Sequence, residues 1–334
     1  MTKLSRSIYL DILRILSVFC VIILHVSGNQ IGQILSGTFN WQTLNAYNGL
    51  TRFCVPMFVM ISGALFLAPS RDVPIKTLYS KYIKRIAIAY IFWAIFYAAL
   101  TCKLDLSAFI HTALYGNYHL WFAPMIIGLY MAIPVLRKIT AEKKICEYFL
   151  LITFLFSILQ PTIFLIVPQT AALISNYTWN SQFWVIGYVF YFLLGHYLHE
   201  YRLSRKTNIT LIILGLFAWF IIIFAKHPIT EWFDPYLLNT MLATITFYII
   251  IRQICDKHTV SEKLSSNIIK LSSYTFGIYL IHDAFNVLFA HFGINALTYN
   301  PIWFIPTLSI ANFTCSFAII WLLGRIPIAK KYLM

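Results

Sequence analysis

Residues 8–26 read IYLDILRILSVFCVIILHV, an apolar stretch that also holds Asp11, Arg14 and His25. A helix of about 20 residues crosses the hydrocarbon core of a bilayer, so this stretch is long enough to span a membrane. Ionisable groups at membrane depth are costly, and they usually face the protein interior and mark a functional path. The stretch therefore predicts a membrane helix that carries part of the chemistry.

The spacing of the three ionisable residues places them on one side of this helix. Asp11 and Arg14 are three positions apart, so their side chains can pair on one face. Arg14 and His25 are eleven positions apart, close to three full turns, so both point the same way, about 16 Å apart along the axis. A histidine can serve as a general base toward a hydroxyl. A lone histidine here is more often a hydrogen-bonded core residue, but the aligned Arg14 and Asp11 make a functional role an equal alternative.

Composition defines the class of protein. Of the 334 residues, 60% are hydrophobic and only 11% are charged, whereas about a quarter of the residues of soluble domains are charged. The chain is therefore predicted to be an integral membrane protein in contact with lipid. Its formal charge of +14 is explained by cytoplasmic loops, which collect Lys and Arg, so no nucleic-acid partner is expected. The six cysteines lack metal-like spacing and imply no disulfide framework.

Ten hydrophobic stretches predict ten membrane spans, at residues 8–26, 51–68, 86–101, 120–136, 148–167, 181–199, 209–225, 237–254, 272–292 and 302–323. The connections alternate in charge. Basic residues occur before the first span and after the second, fourth, sixth, eighth and tenth, whereas the other loops hold only Lys103 and Lys226. The positive-inside rule then places both termini in the cytoplasm. We predict an all-α integral membrane protein, a bundle of about ten transmembrane helices in a single domain over residues 1–334.

The loops add two expectations. The connection from Gly28 to Asn48 is long, polar and uncharged, and we expect it to be an external loop. The 168–180 connection is similar, and Trp179 and Trp184 suit the membrane interface. No loop is long enough for a separate catalytic module, so any chemistry belongs to the helix bundle and its short loops.

Several polar residues could join His25 in a site. Arg52 begins the second span on the side where His25 is expected, although an interfacial arginine that reaches toward lipid headgroups is the simpler interpretation. Lys81 lies three and four positions before Lys84 and Arg85, so these cations share a helix face and suit phosphate groups. An ordinary positive-inside loop would look the same.

Two further histidines lie near the outer ends of spans. His119 opens the fourth span, and His282 precedes Asp283 within the ninth. Each is a weak signal alone, but together with His25 and Arg52 they are too many polar groups for an inert bundle. Six other histidines lie near span ends or in loops, and we expect them to be solvated or interfacial: His111, His196, His199, His227, His258 and His291. No zinc-like spacing, Gly-rich phosphate loop or nucleophile elbow occurs, so no metal site is expected.

Five motifs occur along the chain: Leu10-Asp-x-Leu-Arg14 ten residues before His25, Arg52-x-x-Val-Pro-x-Phe-x-x-x-Ser-Gly63, the basic group from Lys81 to Arg85, His119-Leu-Trp-Phe122, and Gly277-Ile-Tyr-x-x-His282. In this order they resemble the acyltransferase-3 family of bacterial membrane acyltransferases. Within that family the chain is most similar to the inner-membrane O-acetyltransferases of surface polysaccharide, such as those that act on enterobacterial common antigen. Two of the three basic positions are lysine here where the family often has arginine.

The resemblance implies a multi-pass protein of the bacterial inner membrane, with acetyl-CoA as acyl donor and a glycan or lipid-linked glycan hydroxyl as acceptor. It implies that Arg14 and His25 are the essential pair. Our own hypothesis is that Asp11 orients Arg14 and that His25 acts as general base or as transient acyl carrier. We assign the coenzyme to Arg14 and the basic loop, Lys81, Lys84 and Arg85. We assign the acceptor to Arg52, His119, Trp121, Tyr279 and His282.

Two other classes of function fit part of the sequence. A transporter or flippase for a glycan or acyl carrier would also place buried charges on broken helices, although no inverted repeat is evident. A non-catalytic subunit that tethers a biosynthetic complex would leave Asp11, Arg14 and His25 unexplained.

Overall fold

The computed structural model describes residues 7–68, 71, 73–102, 105–167, 183–224 and 235–334. All the regular secondary structure in these residues is helical. The main helices are α1 Ile8–Gly28, α2 Phe39–Thr51, α3 Cys54–Phe66, α4 Lys84–Thr101, α5 Leu106–Tyr115, α6 Phe122–Thr140, α7 Lys143–Phe154, α8 Gln160–Ile166, α9 Phe183–Glu200, α10 Arg205–Phe224, α11 Leu238–Lys257, α12 Glu262–Ser272, α13 Thr275–His291, α14 Pro301–Leu323 and α15 Pro327–Tyr332. Several expectations fall on residues outside the described ones: the basic residues before the first span (Lys3 and Arg6), Lys103, Lys226, His227, the 168–180 loop and the Trp184 side chain.

Helix α1 lies in the middle of the bundle. It contacts α2, α3, α11, α12, α13 and α14, and its Leu13, Val18 and Ile22 are fully buried. A helix that is buried on most sides needs apolar residues around most of its surface, which the sequence of residues 8–26 supplies. Of the three ionisable groups of α1, Asp11 is buried, and Arg14 and His25 are partly exposed.

Within the described residues, seven helical stretches are long and apolar enough to cross a membrane: Ile8–Gln33, Phe39–Phe66, Ile75–Thr101, Leu106–Thr140, Lys143–Ile166, Leu238–Lys257 and Pro301–Leu323. Helices α9, α10 and α13 cover the other three predicted spans. Helix α13 has only 17 residues, and the termini of α9 and α10 meet residues outside the described ranges. The multi-pass character of the chain is confirmed, while the count of ten spans and the cytoplasmic termini stay predictions.

Helices α3 and α9 cross at very close range. A Cβ atom built on Gly63 would lie 1.8 Å from the backbone oxygen of Phe192, and one built on Gly195 would lie 2.0 Å from that of Met60. Small residues allow helix backbones to approach in this way inside a membrane. The glycine at the end of the Arg52–Gly63 motif is thus a requirement of helix contact.

The expectation of an external loop from Gly28 to Asn48 is wrong over its second half, where α2 begins at Phe39. Its N-terminus is capped by the Thr38 hydroxyl, which accepts a hydrogen bond from the Trp41 amide at 3.3 Å. Trp41 and Leu44 are buried, and so are Asn45 and Asn48. These four residues recur at helical spacing, but half of them are polar, so hydropathy alone did not reveal the helix.

Candidate active site

A first cavity of about 360 Å³ lies beside the N-terminal half of α1. Its lining includes Arg14 from α1, Ser62 from α3, Tyr82 and Arg85 near the start of α4, and Tyr130 from α6. We call it the arginine cavity. Tyr82 lies in a six-residue π-helical segment, Leu78–Ile83, and such local widening of a helix is frequent at functional sites. Two guanidinium groups on one wall suit an anionic ligand.

Asp11 fixes the position of Arg14. The guanidinium Nη1 lies 3.4 Å from Asp11 Oδ1, and the same carboxylate oxygen accepts a hydrogen bond of 2.6 Å from the Ser272 hydroxyl. Asp11 is only 1% exposed, so this pairing occurs inside the protein. The predicted Asp11–Arg14 pair is therefore present, and Ser272 at the end of α12 is an additional member that the sequence did not indicate.

A second cavity, of about 340 Å³, lies beside the C-terminal half of α1. His25, Arg52, His119 and Trp121 line it, and so does Asn48. We call it the histidine cavity. Arg52 donates from Nε to the Asn48 side-chain oxygen at 2.9 Å, and Asn48 in turn donates to the Leu24 carbonyl on α1 at 2.9 Å. Helix α2 therefore supplies the amide that links Arg52 to the helix of His25.

The two cavities share a wall. Val21, Val55, Phe122 and Tyr279 line both of them. Val21 lies between Arg14 and His25 on α1, so the wall separates the arginine end from the histidine end of the same helix. The structure thus places Arg14 and His25, which are predicted on one side of α1, in two adjoining cavities with four lining residues in common.

His25 lies against two other histidines. Its ring centroid is 5.1 Å from that of His282 and 6.2 Å from that of His119, and the rings of His119 and His282 are 5.1 Å apart. The ring of Tyr118 is also 5.1 Å from His25. Among the described residues, no group of His, Cys, Asp and Glu is arranged to hold a metal ion. The cluster thus gathers titratable nitrogen atoms next to the histidine cavity.

A tight turn brings residues 117–119 to this cluster. Helix α5 ends at Tyr115, and the next residue, Gly116, has a φ of 78°, in the left-handed region that favours glycine. A Cβ atom there would also approach the Tyr90 ring at 3.1 Å. The chain then forms a short 3-10 segment, Tyr118–Trp121, which directs His119 toward α13. The His119-Leu-Trp-Phe122 motif therefore depends on the glycine that precedes it.

Tyr97 holds the facing part of α13. Its hydroxyl donates to the Leu280 carbonyl at 2.9 Å and accepts from the Ala284 amide at 3.1 Å. The hydroxyl thus lies between a carbonyl and an amide that are four residues apart, which is the spacing of an α-helical bond. Tyr97 is fully buried, and its contact fixes the backbone on both sides of His282 and Asp283.

The structure places the predicted coenzyme residues in two groups. Arg14 and Arg85 line the arginine cavity, whereas Lys81 and Lys84 do not. Both lysines are exposed, and the Lys81 ammonium lies 5.5 Å from the Tyr82 ring. Arg85 also donates to the Met334 backbone oxygen. The basic loop therefore contributes one guanidinium to the cavity lining, and its two lysines are not part of that lining.

The structure bears on two of the expectations for histidines. His282 is fully buried and lines neither cavity. Its ring nitrogen Nδ1 is held by the Tyr279 carbonyl at 2.6 Å, and its assignment to the acceptor stays a prediction. His196 was expected at the membrane interface, but it is also fully buried, because α9 packs against α3, α6 and α7.

Together, these features define a multi-pass membrane protein with a buried polar site that is reached from two cavities. The chain belongs to the acyltransferase-3 family, because the family model Acyl_transf_3, described as an acyltransferase domain, matches residues 7–321. It is therefore a membrane acyltransferase. Comparisons with curated proteins and with solved structures find no match.

Proposed function

We propose that the chain transfers an acetyl group from acetyl-CoA to a hydroxyl of a cell-surface or lipid-linked polysaccharide at the bacterial inner membrane. The observation that supports this most strongly is the wall shared by the two cavities. A donor and an acceptor that enter from opposite sides would meet at Val21, Val55, Phe122 and Tyr279, next to His25. Transfer between substrates on two faces of a membrane needs such an arrangement.

On the donor side, Arg14 and Arg85 would bind the anionic groups of the coenzyme, since guanidinium groups pair well with phosphates. Asp11 and Ser272 would keep Arg14 in place. The pantetheine arm would then follow the apolar lining of the arginine cavity toward Val21. Under the positive-inside prediction, this side faces the cytoplasm, where acetyl-CoA is available.

On the acceptor side, the lining combines aromatic rings with hydrogen-bonding groups. Trp121, Tyr118 and Tyr188 present aromatic rings to the histidine cavity, while Asn48 and Arg52 supply an amide and a guanidinium. Sugar rings offer C–H faces that pack on aromatic rings and hydroxyls that hydrogen-bond to amides. This composition supports a glycan as the acceptor.

In the transfer step, the acceptor hydroxyl oxygen attacks the acetyl carbonyl carbon, the new C–O bond forms, and the C–S bond of the thioester breaks. His25 would take the hydroxyl proton, which then passes to the thiolate of the leaving coenzyme. Alternatively, the His25 imidazole would attack first and carry the acetyl group before the hydroxyl receives it. Either route gives His25 a transient positive charge.

The test uses membranes that contain the full chain and their own envelope glycan, incubated with acetyl-CoA labelled in its acetyl group. We expect label in the glycan fraction with the wild type and a loss of at least about 100-fold with His25→Ala, since general base or covalent catalysis contributes about that much. His111→Ala is the matched control, because His111 is exposed and should leave transfer unchanged.

Full labelling by the His25→Ala protein would remove this residue from the mechanism. If the wild type moves glycan across the membrane without consuming acetyl-CoA, the chain is a transporter and the proposed donor is wrong.

A further inference from the structure

The polar cluster beside His25 contains a carboxylate that the transfer step above does not use. Asp283 is 3% exposed. It accepts hydrogen bonds from the Asn117 side-chain amide at 2.8 Å, the Tyr118 hydroxyl at 2.8 Å and the Asn286 side-chain amide at 3.1 Å. Three donors stabilise an ionised carboxylate. Burying such a charge is costly unless it is compensated, so its place next to three histidines requires an explanation.

His119 lies between Asp283 and His25. Its Nε2 is 3.3 Å from the Leu280 carbonyl, and because a carbonyl only accepts, this nitrogen carries a hydrogen. Its Nδ1 has no hydrogen-bond partner and lies 3.8 Å from Asp283 Oδ2. The ring of His119 is therefore placed between the Leu280 carbonyl and the Asp283 carboxylate.

The ring of His282 lies next to both His119 and His25. Its Nδ1 is held by the Tyr279 carbonyl at 2.6 Å, so this nitrogen also carries a hydrogen. Its Nε2 is buried without a hydrogen-bond partner. The ring is 5.1 Å from that of His25 and 5.1 Å from that of His119. The three imidazoles thus form one contiguous group, and Asp283 lies next to its member His119.

From this geometry we infer that Asp283 is a positioning residue for the transfer reaction, one that fixes His119 and offsets the positive charge that His25 acquires. The inference rests on the proposed function. Of the groups that face His25, Arg52 is a cation and Tyr118, His119 and His282 are neutral in their ordinary forms. The ionised Asp283 supplies the opposite charge in a site where water screens little.

The negative charge of Asp283 can offset the positive charge of His25 in both routes of the reaction, and neither route needs a further reagent. In the general-base route, the hydroxyl proton moves to His25, and Asp283 offsets the imidazolium until the proton passes to the coenzyme thiolate. In the covalent route, the acetyl carbon bonds to the imidazole nitrogen while the C–S bond breaks. The acetyl-imidazolium carries the charge until the hydroxyl oxygen takes the acetyl group and the hydroxyl proton passes to the coenzyme thiolate.

The test compares Asp283→Asn with the wild type in the labelled acetyl-CoA assay, with initial rates measured over a range of donor concentrations. Asparagine keeps a side-chain oxygen that accepts hydrogen bonds but lacks the charge. We expect kcat to fall about 100-fold with the KM for acetyl-CoA unchanged, and Asp283→Glu to recover part of kcat. The matched control is Asp105→Asn, which removes a charge from a carboxylate that caps α5 outside the cluster.

A second measurement separates this role from a purely structural one. The single variant His119→Asn and the double variant that carries both His119→Asn and Asp283→Asn should have about the same kcat. Two residues that act as a unit give non-additive effects. All variants are compared for thermal unfolding in detergent. A folded Asp283→Asn protein with wild-type kcat overturns the inference alone. A wild-type protein that transfers no label overturns the proposed function and this inference with it.

Discussion

Arg85 lies at the start of α4 and lines the arginine cavity, whereas Lys81 and Lys84, which are exposed as Arg85 is, do not line it. This difference gives the three cations of one basic loop unequal roles. An arginine that lines a cavity can hold a phosphate with two parallel hydrogen bonds, whereas a lysine outside the cavity acts as a point charge that solvent and salt screen. We therefore expect Arg85 to bind the coenzyme more strongly than either lysine.

Substitution of each cation tests this expectation. Arg85→Ala should raise the KM for acetyl-CoA about 10-fold or more, because a hydrogen bond to a charged group contributes about 1.5–3 kcal/mol. Lys81→Ala and Lys84→Ala serve as matched controls and should change it by less than about twofold, as expected for exposed charges. Steady-state kinetics with labelled acetyl-CoA measures all three. Equal effects of the three substitutions would show that the whole loop binds the coenzyme.

For individual residues, the sequence predicted contacts within one helix and missed contacts between helices. The Asp11–Arg14 pair followed from a three-residue spacing, which fixes which side chains are neighbours on a helix. The bond from Ser272 to Asp11 joins residues 261 positions apart, and a linear spacing says nothing about such a pair. The same holds for the bonds of Asn117 and Tyr118 to Asp283, which depend on how α5 and α13 are placed.

The contact between α3 and α9 shows how an element depends on a single small residue. Gly63→Ala would place a methyl group 1.8 Å from the Phe192 backbone oxygen, and a backbone cannot move aside as a flexible side chain does. Overpacking of this kind costs about 1–3 kcal/mol. We expect a thermal unfolding midpoint in detergent that is several degrees below that of the wild type.

Gly32→Ala is the control for this prediction, because a Cβ atom at Gly32 meets nothing within 4 Å. Its unfolding midpoint should equal that of the wild type. A Gly63→Ala protein as stable as the control would mean that α3 and α9 are farther apart than the structure has them.

Helix prediction succeeded where the apolar residues were continuous and failed where they were mixed with polar ones. Helix α1 followed from its hydrophobicity and length. Helix α2 was expected as a loop, because its buried face uses Asn45 and Asn48 beside Trp41 and Leu44. Amides can be buried there because they have partners, as the bond from Asn48 to the Leu24 carbonyl shows. Polar residues with long-range partners therefore conceal a buried helix from a hydropathy analysis.

Over the whole molecule, the two cavities lie at opposite ends of one central helix. Arg14 and His25 face different cavities, and the side chains of Val21, Val55, Phe122 and Tyr279 separate them. The sequence predicted that Arg14 and His25 lie on the same side of α1, because the helical repeat alone determines this. It could not predict the wall, which combines residues from α1, α3, α6 and α13.

The most direct test of a joined reaction path is Val55→Phe, which would extend an aromatic ring into the wall between the cavities. We expect coenzyme A to stabilise this protein against thermal unfolding as much as it stabilises the wild type, because Arg14 and Arg85 remain in place. Transfer of labelled acetyl to the glycan should fall by at least about 10-fold. Val135→Phe, on an exposed position of α6, is the control and should transfer normally. Wild-type transfer by a folded Val55→Phe protein would contradict the claim that donor and acceptor meet at this wall.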